Sequence, residues 1–320
     1  MYGLFRKFLS GEMVIAIGAV ITFLITFFVL KFPPAFLPKD QGRAFAVNGQ
    51  LSKGKLRGVG LLFVAVFFVT GLIFLPFNLE YLFYGILLCL MMLSGYLDDA
   101  SETPWSDYKK GAIDFALSVL AMVNFLTHNE PVIKFVTHSV RIPVVLYAIL
   151  GIVLIWVSVN VTNCSDGVDG LCGSVSVVAF MAYAGTFYRD MGPGYVGGAV
   201  LFAAALLAYL IFNWHPSKML MGDAGSRAIG FFLAVLAMKS THPFSFLLLG
   251  LVFILDGGLG LVKVFVMRFF KIPFLKNIRC PLHDQLRKNM GWSDVAVVSF
   301  MILSQITLSA LTWVLISLSF

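Results

Sequence analysis

Long apolar segments dominate this chain and limit the folds open to it. Ten of them occupy most of its 320 residues: 12–32, 59–77, 81–97, 111–127, 143–161, 170–188, 196–213, 226–239, 243–266 and 295–318. A helix needs about 20 apolar residues to cross the hydrocarbon of a bilayer. With 59% hydrophobic and only 12% charged residues, the chain is predicted to be an all-α integral membrane protein with about ten transmembrane helices.

The segments follow one another closely, which predicts one polytopic domain over residues 1–320. The first segment lacks a small-residue cleavage site and is predicted to be an anchor, not a cleaved signal. The ninth segment contains Asp256, Gly257 and Gly258. A bend there would open a groove for a lipid chain, whereas ordinary close packing of small residues is the alternative.

Basic residues predict the orientation of the helices. Most of them fall in the gaps after odd-numbered segments, for example Lys53, Lys55 and Arg57 after the first, and Lys109 and Lys110 after the third. By the positive-inside rule these gaps are cytoplasmic, so both termini are predicted to be extracytoplasmic. Nothing in the pattern resembles a nucleic-acid-binding module, and the expected surroundings are a lipid bilayer.

The acidic residues concentrate on the same predicted face. Asp98 and Asp99 end the third segment, Asp166 and Asp169 precede the sixth, and Asp223 precedes the eighth. In a chain so poor in charge, this convergence predicts a catalytic site on the cytoplasmic face.

The chemistry of these carboxylates favours a cation and phosphate groups. Adjacent carboxylates at a helix C-terminus repel one another and meet an unfavourable dipole, so a nearby cation is expected. Mg²⁺ suits this because it takes one or two protein carboxylates and completes its shell with water and phosphate oxygens. Asp223, in the short loop MGDAGS, is the predicted ligand, with Asp99 as a second candidate. Phosphoryl transfer is the reaction indicated.

Each motif also has a plainer explanation. An Asp-Asp pair is often merely solvated, DGVDG can be two turns capped by aspartates, and MGDAGS can be a helix N-cap. A secondary transporter would also carry membrane carboxylates, but near the bilayer midplane. Only Asp114 and Asp256 are candidates for that position.

Four motifs together resemble a known family. YLDDAS, NVTNCSDGVDGL, NWHPSKMLMGDAGS and RCPLHDQLRKNMGWSD occur in this order, as in the bacterial polyprenyl-phosphate phosphoglycosyl transferases. The PLH-before-GWS stretch is most similar to the phospho-N-acetylmuramoyl-pentapeptide transferases. The resemblance implies transfer of phospho-MurNAc-pentapeptide from its UDP-sugar nucleotide to undecaprenyl phosphate, with Mg²⁺, in the bacterial plasma membrane. It also implies a homodimer.

The resemblance assigns residues by position. As catalytic residues it implies Asp98, Asp99, Asp223 and His283. As substrate-binding residues it implies Asn160, Asn163, Asp166, Asp169 and Asn213, and the basic side chains Lys53, Lys55, Arg57, Lys109 and Lys110 are expected to assist.

The chain departs from the pattern of this branch at several positions. Asp284 and Gln285 replace the second and third histidines, Leu220 stands where an aromatic residue is common, and the first loop lacks Thr-Pro-Thr. Arg57 with Gly60 is closer to the relatives that transfer N-acetylglucosamine-1-phosphate. A transferase that uses UDP-GlcNAc or a related UDP-N-acetylhexosamine is therefore the alternative.

Overall fold

The structure, a computed structural model, describes residues 1–42, 50, 52–135 and 138–318. Most of these residues are helical. The helices are α1 (Tyr2–Phe5), α2 (Gly11–Lys31), α3 (Gly60–Phe74), α4 (Leu79–Asp99), α5 (Asp107–His128), α6 (Val144–Cys164), α7 (Leu171–Thr186), α8 (Tyr188–Asn213), α9 (Gly222–Lys239), α10 (Pro243–Leu249), α11 (Leu251–Phe269) and α12 (Asp294–Ser317). A short helical turn covers residues 282–289.

Polar caps start several of the membrane helices. Ser10, Ser106 and Ser293 accept hydrogen bonds from the backbone N–H groups three residues ahead, at 3.2, 3.3 and 3.2 Å. Asn78 caps α4 by accepting from the backbone N–H of Glu80, two residues ahead, at 2.8 Å. These caps satisfy N–H groups that have no partner within the helix.

Every predicted apolar segment overlaps a helix, but fewer than ten meet the length and composition of a membrane span. Among the described residues six do: Gly11–Lys31, Leu79–Asp99, Asp107–His128, Val144–Cys164, Tyr188–Asn213 and Asp294–Ser317. The bent pair α10 and α11 makes a seventh if it counts as one span. Helices α3 and α7 are apolar but shorter, and α9 carries Asp223, Arg227 and Lys239. The chain is thus a mostly helical, multi-pass membrane protein.

The bend in the ninth segment lies six residues before its predicted position. The chain turns by 65° between α10 and α11, at Gly250, and not at 256–258. Residues 254–258 form a π-helical turn inside α11. A Cβ on Gly257 would lie 2.4 Å from the carbonyl oxygen of Val161. The close-packing alternative is therefore correct at Gly257.

An apolar cavity does lie on the other side of the bend. It has a volume of about 300 Å³ and is bounded by α6 and α10, with Tyr147, Leu154 and Phe246 among its lining residues. The π-turn residue Ile254 also lines it.

Helix α9 forms the centre of the molecule. All its residues from Gly222 to Met238 are buried, although an aqueous helix would expose one face. Gly230 lets α9 approach α6 closely, since a Cβ there would lie 2.5 Å from the Ser158 carbonyl oxygen. The Ser158 hydroxyl donates to the Gly230 carbonyl at 2.6 Å. Small residues at such crossings are the usual basis of helix packing in membranes.

A two-stranded hairpin, which the all-helical prediction missed, follows α5. Strands β1 (Val132–Lys134) and β2 (Ser139–Arg141) pair in antiparallel fashion. Lys134 forms an ion pair with Asp190 at 2.6 Å, which ties the hairpin to the start of α8.

Candidate active site

Three helix ends meet at one end of the bundle, together with the loop between α2 and α3 that carries Arg57. The C-terminus of α4, the N-terminus of α5 and the N-terminus of α9 converge there. Glycines allow this approach: a Cβ on Gly95 would lie 2.4 Å from the carbonyl oxygen of Asp223, and one on Gly60 would lie 2.1 Å from the nitrogen of Gly225. Gly222 has a φ of +67°, which favours glycine. The crossing brings Asp98, Asp99 and Asp223 together.

Arg57 is the cation around which three carboxylates gather. Its Nε donates to Asp99 at 2.8 Å, and its two terminal nitrogens lie 3.1 Å from Asp40 and 3.6 Å from Asp223. Burial disfavours the charged guanidinium, but the surrounding carboxylates raise the pKa of Arg57 further above its ordinary value. Arg57 is therefore a permanent cation in the site.

Asp40 is a member of this cluster that the sequence analysis missed. Its carboxylate accepts from the Ser52 hydroxyl at 2.5 Å and from the Gly42 N–H at 3.1 Å. Burial acts to raise the pKa of Asp40, but the Ser52 hydrogen bond and the Arg57 charge hold it below its usual value. It is the only acidic residue in the basic stretch between the first two apolar segments. This isolation among basic residues could have identified Asp40 from the sequence.

Lys110 supplies a second cation, between Asp98 and Asp223. Its Nζ pairs with the Asp98 carboxylate and lies 3.5 Å from Asp223. The Trp105 N–H also donates to Asp98, at 2.7 Å. The expectation that the adjacent aspartates need a cation is thus met by the protein itself, through Lys110 for Asp98 and Arg57 for Asp99.

Asp223 is the carboxylate best suited to hold a divalent ion. Its cationic neighbours stand 3.5 and 3.6 Å away, and Asn163 Nδ2 lies 3.3 Å from it. Asp99 is less suited, because Arg57 holds one oxygen and the Ala224 N–H donates to the other at 3.3 Å. Among the described residues no three His, Cys, Asp or Glu side chains could hold one ion together. A Mg²⁺ ion here would therefore complete its shell with water and phosphate oxygens.

Two of the predicted nucleotide-side residues brace the loops beside the site. Asp169 accepts from the N–H and the hydroxyl of Ser217, both at 2.8 Å, and lies 3.7 Å from Lys55. The Asn213 side chain accepts from the Gly170 N–H and donates to the Met219 carbonyl, each at 2.9 Å. These bonds connect the loop after α6 with the loop before α9.

Other predicted residues lie further from the carboxylates. Asn160 donates to the Trp156 carbonyl of its own helix at 2.8 Å. Lys109 is exposed and lies over the Trp105 ring, 3.4 Å from its centroid. Lys53 is exposed in a turn, and Asp166 caps the end of α6 through an N–H bond to the Asn163 carbonyl at 3.2 Å.

His283 is buried next to the loop that follows α6, and its partner is Asp256. The ring nitrogen Nδ1 lies 2.9 and 3.1 Å from the two carboxylate oxygens of Asp256, and the His283 backbone N–H donates to the same carboxylate at 2.7 Å. Sequence reasoning had considered Asp256 only for a bend or an ion pathway. The other such candidate, Asp114, is buried in an ion pair with Arg227. Both carboxylates therefore have a cationic or imidazole partner.

The residues that stand at the second and third histidine positions have local partners. The Asp284 carboxylate accepts from Arg287 at 2.7 Å, and the Gln285 side chain accepts from the Arg279 N–H at 2.7 Å. Arg287 also pairs with Asp294 at 3.2 Å. These positions stabilise the turn before α12.

Comparison with known proteins identifies the family of this chain. The family model for glycosyl transferase family 4 matches residues 81–241, about half of the chain. A phospho-N-acetylmuramoyl-pentapeptide-transferase of Treponema pallidum is 38% identical, over 99% of this chain and 93% of the relative. Proteins of the same name from Caldanaerobacter subterraneus and Staphylococcus carnosus are 30% and 28% identical, over 78% and 90% of this chain and 80% and 95% of their own.

The matched region contains α4, α5, α6 and α9, the helices that position the carboxylates and Lys110. The resemblance inferred from the four motifs is thereby confirmed. The chain belongs to glycosyl transferase family 4 and is a membrane-embedded phosphoglycosyl transferase.

Proposed function

We propose that this chain transfers phospho-MurNAc-pentapeptide from UDP-MurNAc-pentapeptide to undecaprenyl phosphate, giving lipid I and UMP. The relatives that match it over most of their length carry the name of that transferase. The observation that carries the proposal is the pairing of two cations with the convergent carboxylates, Lys110 with Asp98 and Arg57 with Asp99.

The reaction joins two anions, so charge repulsion is its main obstacle. An oxygen of the lipid phosphate attacks the β-phosphorus of the nucleotide, the bond from that phosphorus to the bridging oxygen breaks, and UMP leaves. Lys110, with 27% of its side chain exposed, is positioned to contact an incoming phosphate. Arg57, with 21% exposed, is a second permanent positive charge in the site. Preorganised charges of this kind commonly contribute ~10² or more in rate.

Asp98 is the residue we expect beside the attacking phosphate. A phosphate monoester has a second pKa of ~6 and is mostly a dianion at neutral pH, so the need for a general base is modest. Asp98 therefore positions the lipid phosphate through Lys110 or accepts its last proton. A covalent aspartyl-phosphate on Asp98 is the alternative course. Asp99 keeps Arg57 in place.

Mg²⁺ is the proposed cofactor, with Asp223 as its protein ligand. When bound, it would neutralise charge on the diphosphate and stabilise the leaving UMP. Asn163 donates to Asp223, and the Ser226 hydroxyl donates to Asn163 at 2.9 Å. This chain of bonds fixes the orientation of the carboxylate before any ion arrives.

We further propose that the site faces the cytoplasm, with about ten membrane crossings, both termini outside, and a homodimer in the bacterial plasma membrane. The distribution of basic residues supports the orientation. The soluble nucleotide then reaches the site from the cytoplasm, and the lipid phosphate reaches it from the bilayer.

The alternative donor is UDP-GlcNAc or a related UDP-N-acetylhexosamine. Asp284 and Gln285 occupy histidine positions of the pentapeptide transferases. Asp284 pairs with Arg287 of the same turn, and Gln285 accepts from the backbone N–H of Arg279 just before it. That turn lies where the larger donor must fit, so the substituted residues bear on donor choice.

The deciding experiment measures UMP release by the purified protein with undecaprenyl phosphate and Mg²⁺. Parallel reactions contain UDP-MurNAc-pentapeptide or UDP-GlcNAc, and Asp223→Asn is the inactive control. Release only with the muramyl donor is the expected result. Release only with UDP-GlcNAc would move the chain to the alternative, and release with neither donor would contradict the proposed reaction.

A further inference from the structure

The carboxylate of Asp256 and the imidazole of His283 form a buried pair. Asp256 and His283 are 1% and 3% exposed. The Asp256 carboxylate contacts the ring Nδ1 of His283 and accepts a hydrogen bond from the backbone N–H of His283. An ionised carboxylate only accepts hydrogen bonds, so opposite an ionised Asp256 the Nδ1 nitrogen carries a proton. In a neutral imidazole the other nitrogen, Nε2, is then unprotonated.

The Nε2 nitrogen faces the loop on the nucleotide side of the site and lies 3.7 Å from a carboxylate oxygen of Asp284. A Cβ on Gly167 would lie 2.4 Å from Nε2, so glycine at this position leaves room for the ring edge. Arg287 Nη2 lies 3.4 Å from the Gly167 carbonyl oxygen and donates to Asp284 at 2.7 Å. His283 and Arg287 thus contact the same loop residue from one helical turn.

The backbone around Asp256 directs its carboxylate towards His283. Asp256 lies in the π-turn 254–258, where an extra residue per turn changes the direction of the side chains. The neighbouring Gly257 packs against α6, at the Val161 carbonyl and Cys164. The turn therefore ties α11 to α6 close to Asn163, which contacts Asp223.

We propose that Asp256 is a positioning residue of the transferase: it fixes the tautomer and ring orientation of His283, whose Nε2 edge packs against Gly167 and so holds the loop on the nucleotide side of the site. Partners of this kind hold the tautomer of catalytic and ligating histidines in other proteins. The inference rests on the proposed function, because the loop that His283 holds is the one proposed to bind the donor of that reaction.

The test is a double-variant cycle on UMP release. Asp256→Asn keeps the shape of the side chain and an acceptor for the backbone N–H, but its amide can donate to Nδ1 and so stabilise the other tautomer. We expect Asp256→Asn and His283→Ala each to lower kcat by about 10- to 100-fold, with the KM for the lipid unchanged. The double variant should be no slower than the slower single variant.

Histidine nitrogen NMR gives a readout that does not depend on turnover. The protein contains five histidines, and His283→Gln assigns the signals of the one at issue. The neutral His283 ring is expected to be protonated at Nδ1 in the unmodified protein and at Nε2 in Asp256→Asn. Asp256→Glu, which keeps the charge, should restore the Nδ1-protonated form. Asp190→Asn, at the far end of the bundle, is the matched control and should change neither readout.

Several outcomes would overturn the inference. If Asp256→Asn slows the His283→Ala protein as much as it slows the unmodified protein, Asp256 acts independently of His283. If His283→Ala is fully active while Asp223→Asn is not, the proposed function stands and the role of His283 fails. If neither donor reacts, the proposed function fails, and an Nε2-protonated ring in the unmodified protein would separately refute the pairing.

Discussion

Adjacent aspartates in this site have different partners and different tasks. Asp98 pairs with Lys110, whereas Asp99 pairs with Arg57. Consecutive side chains on a helix point about 100° apart, so neighbours at a helix end reach opposite walls of the site. The carboxylate of Asp99 is wholly buried, which suits a supporting role. Asp98 and Asp223 lie on either side of Lys110 and are the ones we expect to meet phosphates.

Replacing Asp223 by asparagine should abolish turnover without unfolding the protein. The carboxylate is the proposed Mg²⁺ ligand, and an amide is a much weaker ligand for this ion. We expect UMP release to fall by at least ~10², while the thermal midpoint in detergent stays within a few degrees. A near-normal rate would end the assignment of Asp223 as the metal ligand.

Replacing Arg57 by lysine should damage both activity and stability. A single ammonium cannot contact Asp99, Asp40 and Asp223 together, because it lacks the fork geometry of the guanidinium. The carboxylates left without a cation are buried and costly to keep charged. We expect a turnover loss of about 10² and a lower thermal midpoint, measured beside Arg141→Lys, an exposed site on β2 that should change neither. An unaltered midpoint would show that the three contacts contribute little.

Close crossings of helices, more than any single loop, determine the geometry of the site. Gly95 on α4 faces the backbone of Asp223 on α9, and Gly60 on α3 faces Gly225. At both crossings the neighbouring atoms belong to backbone, which cannot rotate away as a side chain can. The glycines of α3 and α4 therefore set the distance between the carboxylates.

Gly95→Ala is predicted to separate α4 from α9 and to lower activity. The new Cβ would lie 2.4 Å from backbone atoms of Asp223, so one helix must shift and move Asp223 away from Lys110. We expect kcat for UMP release to fall by at least ~10-fold, since a displacement of about 1 Å at a reacting centre costs up to ~10².

Gly111→Ala is the matched control for that substitution. Gly111 lies near the same site, and nothing stands within 4 Å of its added Cβ. Alanine also favours the helix by up to ~1 kcal/mol, so activity should persist and stability should not fall. Equal losses in both variants would show that the Gly95 crossing is not what positions Asp223.

At the scale of the whole molecule, polar groups lie at the two ends of an apolar bundle. Helix α4 runs from Glu80 to Asp99, and α9 runs the opposite way from Asp223 to Lys239, whose Nζ lies 3.0 Å from Glu80. The 21 residues of α4 correspond to a length of ~30 Å, about the thickness of the hydrocarbon layer. The candidate site and the Glu80–Lys239 ion pair therefore lie at opposite ends of a helix long enough to cross the membrane.

Labelling of single cysteines tests which face is cytoplasmic. In a protein whose four native cysteines are replaced by serine, Lys53→Cys lies on the side of the candidate site and Glu130→Cys on the other; both positions are exposed. In intact cells a membrane-impermeant maleimide should label only the cysteine at 130. Labelling at 53 should require permeabilisation. The reverse pattern would place the site outside and contradict the proposed supply of a cytoplasmic nucleotide.

The apolar segments, the acidic motifs and the family could all be inferred from the chain alone. Apolar run length and helix caps are local properties, so nearby residues decide them. Asp98, Asp99 and Asp223 were recognised because charged residues are rare in such a chain, and the structure brings them together as expected. The ends of α3 and α10 and the position of the bend were less predictable, because packing against neighbours decides where a helix stops.

Only the tertiary structure decided which charges pair. Arg57 and Asp99 are 42 residues apart, Arg227 and Asp114 are 113 apart, and His283 and Asp256 are 27 apart. No local pattern specifies such contacts, since they depend on which helix faces meet. The structure therefore revealed that Lys110 and Arg57 pair with the adjacent aspartates, that Asp40 also contacts Arg57, and that Asp256 contacts His283. Burial makes these pairings specific, because an unpaired charge in a low-dielectric interior is too costly to keep.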